Sequence, residues 1–480
     1  MLRVLSVSRR VLGEHLTSKA LFREHILPQI RPVLREYTWV DLYAGEGNLV
    51  LPILEEIPRS ERAGFFKEHV LLFDIQPEMV RKAVANAVEL GIPQEIARQN
   101  TSVRDTITNF PEEVLNTKFP AYHVTNPPYL YLGYIRKHEE TRQLEDYFRG
   151  PNKGLQDVYQ VCLMNDLRHG IEKLVYIVPS NFLFGYSVSN AFRDEFLPYY
   201  KILRATIFEK RIFEFTGTNV VIAFFERKPL RSEGPQTFAA AKMNSERTEK
   251  TYTLRRRDHY RAGDQFEDFV AKNRARHPVR VRYYLMLKEV SSHPGHVKVR
   301  LLDSNRFDGR TYLIRELSVS ASLANRIRTN LLWVRTVDTG SREGRAGLYL
   351  LRDSLKADGI LVSAAPYRTN PIQLFFDPQL SDADQLLLMN YTNALLEHFR
   401  LLTDSEFMTT YKYSESEYTR KYLGLSQIRR LIETLPILDM KESERKELEG
   451  STLRKDIESI TSLIERARRP FDTIDLTSFR

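Results

Sequence analysis

Across 480 residues the sequence has one cysteine, Cys162. A disulfide framework and a cysteine-ligated zinc site are thereby excluded. The apolar helical context of Cys162, DVYQVCLMNDL, suits a core thiol better than a nucleophile. Long apolar runs are also missing: VVIAFF at 220–225 is typical of the longest, far short of the ~20 residues of a membrane-spanning helix. The opening MLRVLSVSRR has no apolar core of the kind a secretory signal needs. A cytoplasmic protein without a membrane segment is the expectation. No internal repeat or low-complexity tract interrupts the chain.

With 42% hydrophobic and 28% charged residues, the composition is that of an ordinary globular protein. A chain of this length exceeds a typical single core, so two or three domains are expected. The net charge of +9 is unevenly spread. Residues 1–230 hold 29 Lys and Arg against 28 Asp and Glu, whereas 231–480 hold 42 against 34. Any polyanion-binding surface is therefore expected in the second half. Within it, residues 251–300 carry 12 basic and 5 acidic side chains, interleaved with Tyr252, Tyr260, Tyr283 and Tyr284. Arg255, Arg256, Arg257, Arg274, Arg276, Arg280 and Arg282 are the candidates for phosphate contact there. A solvated basic face is the plainer alternative.

The first half alternates short apolar runs with amphipathic stretches, the pattern of an α/β domain with a mostly parallel sheet. Strands are expected at WVDLY (39–43), HVLLFD (69–74), AYHVT (121–125), KLVYIV (173–178), ILRATIF (202–208) and NVVIAFFE (219–226). Helices are expected over 17–30, 77–90 and 157–171. The polar stretch KPLRSEGPQ suggests a boundary, dividing the chain into 1–229 and 230–480. The second part mixes possible strands (LLWVRTV, GLYLLRD, PIQLFFD) with helices, an α+β pattern.

Three strand ends carry chemistry. DLYAGEGNL, 41–49, leaves the first strand, and Gly45 and Gly47 let the backbone approach a ligand. Val50 stands where a dinucleotide loop needs its third glycine, and the Lys-Ser/Thr ending of a phosphate loop is absent. What remains is an acid, Asp41, ahead of Gly-x-Gly, able to accept from a cationic amino group. The second strand ends at Asp74, placed to bind both hydroxyls of a ribose, with Ile75 offering an apolar face to a purine. Asp105 is a candidate for the purine's amino group, and Asn100 competes with it. The third strand end is in YHVTNPPYLYLG, 122–133. Pro127 and Pro128 cannot continue a sheet, so the strand ends at Asn126 and a stiff turn holds Asn126, the Pro127 carbonyl and Tyr129 together. Alone, this is as much a capped turn as a site.

Taken in order, HLTSKALFREHILP, DLYAGEG, LLFD, NPPY, DVYQVCLMNDL, VYIVPSNFLFG and RIFEFTGTNVVIAFFE resemble the motifs of S-adenosylmethionine-dependent DNA N6-adenine methyltransferases of the γ group, the TaqI methyltransferase type. The resemblance covers about residues 12–228. It implies a Rossmann-like methyltransferase domain with a mostly parallel seven-stranded sheet, followed by a mixed α+β target-recognition domain. It further implies that Asp41 holds the methionine amino group, with Thr17 at the same end and Ala44, Gly45 and Gly47 lining the cofactor. Asp74 and Ile75 would hold the ribose and purine, and Asp105 the purine's amine. Asn126 and the Pro127 carbonyl would accept from the target amine, Pro128 would stiffen the turn, and Tyr129 and Phe213 would sandwich the target ring, Phe215 being close enough to be confused with Phe213. Two departures stand out: AYHV lacks the acid usual before NPPY, and Asp105 lies unusually far before Asn126.

This chemistry explains the residue types. An adenine amine is a poor nucleophile because its lone pair is conjugated with the ring, and two fixed acceptors can draw its hydrogens so that the lone pair turns outward. No metal is expected. Double-stranded DNA is the expected partner, bound by a monomer, and a separately encoded restriction endonuclease fits the family. Some 40 residues precede the glycine loop, too few for a fused nuclease. NPPY also serves enzymes that methylate RNA adenines or protein glutamines, so the motif marks the acceptor amine and only the basic second half favours DNA.

Overall fold

The computed structural model describes residues 17–467 except 187, 210–211, 214–218, 244–245, 340–343, 368 and 411–419. Expectations resting on residues 12–16, 211 and 214–218, Phe215 among them, therefore lie outside the described residues. The described residues form two compact units, one through Ala262 and one over Gly263–Thr409 and from Arg420 onward.

In the first unit the apolar runs become strands: β1 (Thr38–Asp41), β2 (Val70–Asp74), β3 (Thr101–Val103), β4 (Ala121–Thr125), β5 (Lys173–Pro179), β6 (Tyr200–Phe208) and β7 (Val220–Arg227). Most of β1, β4, β5 and β7 is buried without alternation, as strands covered on both faces require. The order β3-β2-β1-β4-β5-β7-β6 is parallel from β3 to β5, with β7 antiparallel to both neighbours. β1 thus lies between β2 and β4, where the winding reverses, and the loops after these three strands meet at one edge. In open α/β sheets that edge is where ligands bind.

The sheet does not stop at seven strands. β8 (Gln236–Met243) pairs parallel with β6, and β9 (Arg247–Leu254) antiparallel with β8, giving nine. The KPLRSEGPQ stretch is accordingly a turn within the unit, which continues past 229 to Ala262. Its backbone is tied back by Lys228 N to Tyr199 O at 2.7 Å and Ser232 N to Pro198 O at 2.8 Å. The Gln236 amide donates to the carbonyls of Leu197 (2.6 Å) and Tyr200 (2.9 Å), seating β8. A polar Pro/Gly turn reads alike whether it leads to a new domain or back to the same sheet.

Helices cover both faces. Val158–His169 is buried from Val158 to Leu167, and ends at Gly170, whose φ of +75° closes it with a left-handed cap. Pro77–Glu89 buries Met79, Ala83 and Ala87 on one stripe.

Among the described residues the second unit has a small sheet that includes Val337–Asp338 (β15) and two four-stranded sheets. One is antiparallel and joins Arg280–Tyr283 (β10), Ile372–Asp377 (β18), Leu332–Arg335 (β14) and Gly347–Leu350 (β16). The other joins Leu285–Met286 (β11), Gly359–Val362 (β17), Pro294–Phe307 (β12) and Tyr312–Val319 (β13). The strands expected at LLWVRTV, GLYLLRD and PIQLFFD are β14, β16 and β18. A core of Phe266, Leu388, Tyr391, Leu395 and Ile432 is closed by helices Asp382–Thr403, Leu425–Ile432, Glu442–Arg454 and Ile457–Ala467.

Phe238 tests the nine-strand sheet: it is buried on β8 and stacks on Tyr252 of β9 at 5.6 Å. Phe238→Ala is expected to cost about 3 kcal/mol or more of stability in urea denaturation, as for a core phenylalanine. A linker residue would tolerate the change, so an unaltered midpoint would refute the assignment.

Candidate active site

The glycine loop is fixed to the end of β2. Ala44 N donates to Phe73 O at 2.8 Å, and Gly45 N to the Asp74 Oδ2 at 2.8 Å. Gly45 and Gly47 have φ of +53° and +80°, and a Cβ on Gly47 would lie 2.6 Å from Leu51 Cδ1. Tight turn and close packing both demand glycine there.

Asp41 ends β1 in the interior. Its Oδ1 accepts from Thr125 Oγ1 at 2.6 Å and Tyr43 N at 3.0 Å. Burial nevertheless pushes its carboxyl up to about 7, with nearby His123 and the two hydrogen bonds pulling the other way. Both bonds fall on Oδ1, so Oδ2 can serve another donor. A buried acid perturbed this strongly at a sheet's ligand edge is a functional candidate.

Beneath the loop lies a hydrogen-bonded chain that the sequence did not single out. Leu42 N donates to His123 Nε2 at 3.1 Å, so the ring's proton sits on Nδ1, which donates to Asp166 Oδ2 at 2.8 Å. Tyr176 OH donates to the same oxygen at 2.5 Å. All three side chains are buried. The signal was present in AYHV: a histidine inside a strand buried on both faces must have partners.

Asp74 accepts from Gly45 N and, through Oδ1, from Gln76 N at 2.8 Å; burial raises its carboxyl and the two amides lower it. Ile75 beside it is 52% exposed. Asp105 accepts from Ile107 N (3.1 Å), Thr108 Oγ1 (2.7 Å) and Tyr147 OH (3.0 Å). Asn100 is occupied elsewhere, its amide bonding the carbonyls of Phe66, Lys67 and Val70 within 3.1 Å.

At the end of β4, Asn126 Nδ2 donates to Thr17 Oγ1 at 3.0 Å, while its Oδ1 accepts from Tyr129 OH. The Tyr129 hydroxyl also lies 2.8 Å from Ile177 O. The turn beyond is anchored to the Val158–His169 helix, with Leu130 N on Asp157 Oδ1 at 2.9 Å and Leu132 N on Gln156 O at 2.9 Å. Pro127 is buried and Pro128 partly so. The Tyr129 ring is only 1% exposed, and Phe213 is buried in the same core.

A cavity of about 350 Å³ opens at this edge. Of the residues singled out in the sequence, Gly45, Asp74, Ile75, Asp105, Asn126 and Pro128 line it; Thr17, Asp41, Ala44, Gly47, Pro127, Tyr129 and Phe213 do not. Gln143, Leu144 and Tyr147 also line it, from a stretch that the sequence reading passed over. The spacing of Leu144, Tyr147 and Phe148 along ETRQLEDYF is the trace they leave in the sequence.

The candidate phosphate-binding arginines are divided between the units. In the first, Arg256 pairs with Glu233 and Arg257 with Asp258 at 3.2 Å, while Arg255 is partly buried. In the second, Arg274 pairs with Glu433 at 3.2 Å, while Arg276, Arg280 and Arg282 are exposed. The interleaved tyrosines are mostly structural: Tyr252 and Tyr260 are buried, and Tyr283 donates to Leu425 O at 2.8 Å. Among the described residues no cluster of His, Cys, Asp or Glu could hold a metal, and no helix is long and apolar enough to cross a membrane.

No family model and no curated protein matches the chain. Solved structures do. The Type IIL restriction-modification enzyme MmeI, in complex with DNA, aligns over 97% of this chain and 77% of its own, at 12% identity and a TM-score of 0.55. The type IIG restriction endonuclease BpuSI aligns over 97% of this chain and 64% of its own, at 12% identity and a TM-score of 0.38. The M protein of the type I restriction enzyme EcoKI aligns over 48% of each chain, at 15% identity and a TM-score of 0.35. The MmeI likeness shows that the chain shares the fold of a restriction-modification enzyme.

Asp41 also sets a stability test. Because its folded pKa of about 7 exceeds the ordinary aspartate value of 3.8, the folded state binds the proton more tightly and stability falls as pH rises between these values. Asp41→Asn keeps the Oδ1 acceptor without the charge. Its urea midpoint is expected above wild type at pH 8, with the advantage shrinking at pH 5; a midpoint below wild type at pH 8 would count against a burial-dominated Asp41.

Proposed function

We propose that the chain is the modification methyltransferase of a restriction-modification system, transferring methyl from S-adenosylmethionine to adenine N6 in a specific DNA sequence. The observation that carries this reading is the single cavity joining Asp74 and Ile75, at the end of β2, with Asn126, at the end of β4. The cavity residues suit the cofactor: a strand-end carboxylate for the ribose hydroxyls, an exposed isoleucine face that a purine would cover, and Asp105 for the purine's amine. Asp41 Oδ2 suits a cationic amino group. When bound, S-adenosylmethionine supplies a methyl group already activated on a sulfonium.

The chain's own residues then need only position the acceptor. Thr17 holds the Asn126 NH2, which leaves Oδ1 as the acceptor. The Tyr129 hydroxyl now donating to that oxygen has the Ile177 carbonyl as its alternative, so an adenine amine can take its place without stranding a buried hydroxyl. The Pro127 carbonyl would accept the second amine hydrogen. Together the two acceptors favour the geometry in which the nitrogen lone pair is free, an electrostatic contribution of the kind worth about 3 kcal/mol per group. The base must leave the duplex, at a cost of a few kcal/mol. Stacking on Tyr129 and Phe213 would offset about 1–3 kcal/mol per ring, and it requires the side chains now covering Tyr129 to move aside.

Nucleoside analysis of DNA exposed to the protein and cofactor decides the reaction: N6-methyladenine is expected, and methylcytosine alone would overturn the reading. Asn126→Ala is expected to lower kcat by at least ~100-fold and leave cofactor Kd within about twofold; parallel loss of both would remove Asn126 from its role. Asp41→Asn should weaken cofactor binding at pH 8 by about tenfold or more, read by calorimetry.

A further inference from the structure

The second unit presents an element outside the basic segment 251–300. β12 and β13 pair antiparallel from Val297–Val319 to Asp303–Leu313, slip at a bulge, and pair again at Phe307–Tyr312. The turn between them is built to hold its shape. Asp308 accepts from the backbone N–H groups of Arg310 and Thr311, each at 2.7 Å, and Gly309 takes a φ of +99°.

Within this ribbon the acids are already engaged. Asp303 is buried against Arg315 at 2.7 Å and the Ser363 hydroxyl at 2.7 Å, and Asp308 is folded onto its own turn. Arg306 and Arg310 are exposed, and among the described residues neither has a carboxylate within ion-pairing distance. Beside them Phe307 is 54% and Leu313 51% exposed, the phenyl ring resting on Tyr312 at 4.7 Å. Apolar surface flanked by unpaired guanidinium groups on a rigid tip complements a surface with anionic edges and an apolar floor.

Duplex DNA has that layout, with phosphates along the groove edges and base edges, including thymine methyls, between them. The major groove is wide enough for a two-stranded ribbon, and a bulge adds the twist that follows it. We propose that the β12–β13 tip is a DNA-reading element that enters the major groove, with Arg306 and Arg310 on phosphates and Phe307 against the bases. This rests on the DNA reading above and adds where sequence is read.

The experiment uses the full chain in two measurements. Binding to a random-sequence 30-base-pair duplex is followed by fluorescence anisotropy from 50 to 300 mM salt. The doubly substituted R306A/R310A protein is expected to lower the slope of log K against log[salt] by about 2, close to one unit per phosphate contact, with an unchanged melting temperature because both side chains are exposed. Sequencing of methylated sites in DNA from expressing cells is then compared between wild type and Phe307→Ala, which should accept about tenfold more of the sites differing at one position. An unchanged slope, or an unchanged site profile, would overturn the assignment, as would a slope change seen on single-stranded RNA and not on duplex DNA. If the wild type methylates no DNA, the methyltransferase reading fails, and the salt slope still decides whether the tip contacts the duplex.

Discussion

The hydrogen bonds running from Tyr176 through Asp166 and His123 to the Leu42 amide connect β5, the Val158–His169 helix, β4 and the glycine loop. Each group in this chain is buried, so each would cost about 1–3 kcal/mol if left unpaired. The chain therefore sets the height of the loop relative to the end of β4. Asp41 and Asn126, which lie on neighbouring strands, inherit their relation from it. The anchor of the NPPY turn on Asp157 and Gln156 comes from the start of the same helix, so loop and turn share one support.

That support lets the site carry two costs. Gly45 and Gly47 adopt left-handed backbone, and Asp41 holds a carboxylate where burial disfavours its charge. Neither would persist on a loop free to relax. A carboxylate poised near neutrality is poorly served by its surroundings, and a cationic ligand group arriving at Oδ2 would relieve it. Under the proposed reading, stability forgone in the free protein would become affinity in the complex.

Much of this frame was legible in the sequence because it is local. β1, β2 and β4 to β7 fall within about two residues of their expected positions, since continuous apolar runs bounded by Gly, Pro and Asp leave few alternatives. The strand-end positions of Gly45, Asp74, Ile75 and Asn126 follow directly, and these residues share one cavity. β3, only three residues long, gave no such signal. What escaped was non-local. Thr17 and Asn126 are 109 residues apart, and no spacing rule could pair them. Tyr129 was placed against a target ring by the family resemblance, and the tertiary packing that covers its ring in the free protein left no trace in the local sequence. The β8–β9 pair was hidden by a turn with the composition of a linker, and the β12–β13 ribbon lies mostly beyond the basic stretch 251–300 to which the sequence drew attention.

The added hairpin also changes what the sheet shows to other molecules. Without it the rim would be β6, whose unpaired backbone would offer a template to any extended chain. With it the rim among the described residues is β9, where Arg247, Glu249 and Lys250 put charge along much of the ladder. Strand-by-strand aggregation is discouraged by such an edge. The hairpin thus acts as a guard against sheet-edge pairing between copies of the chain.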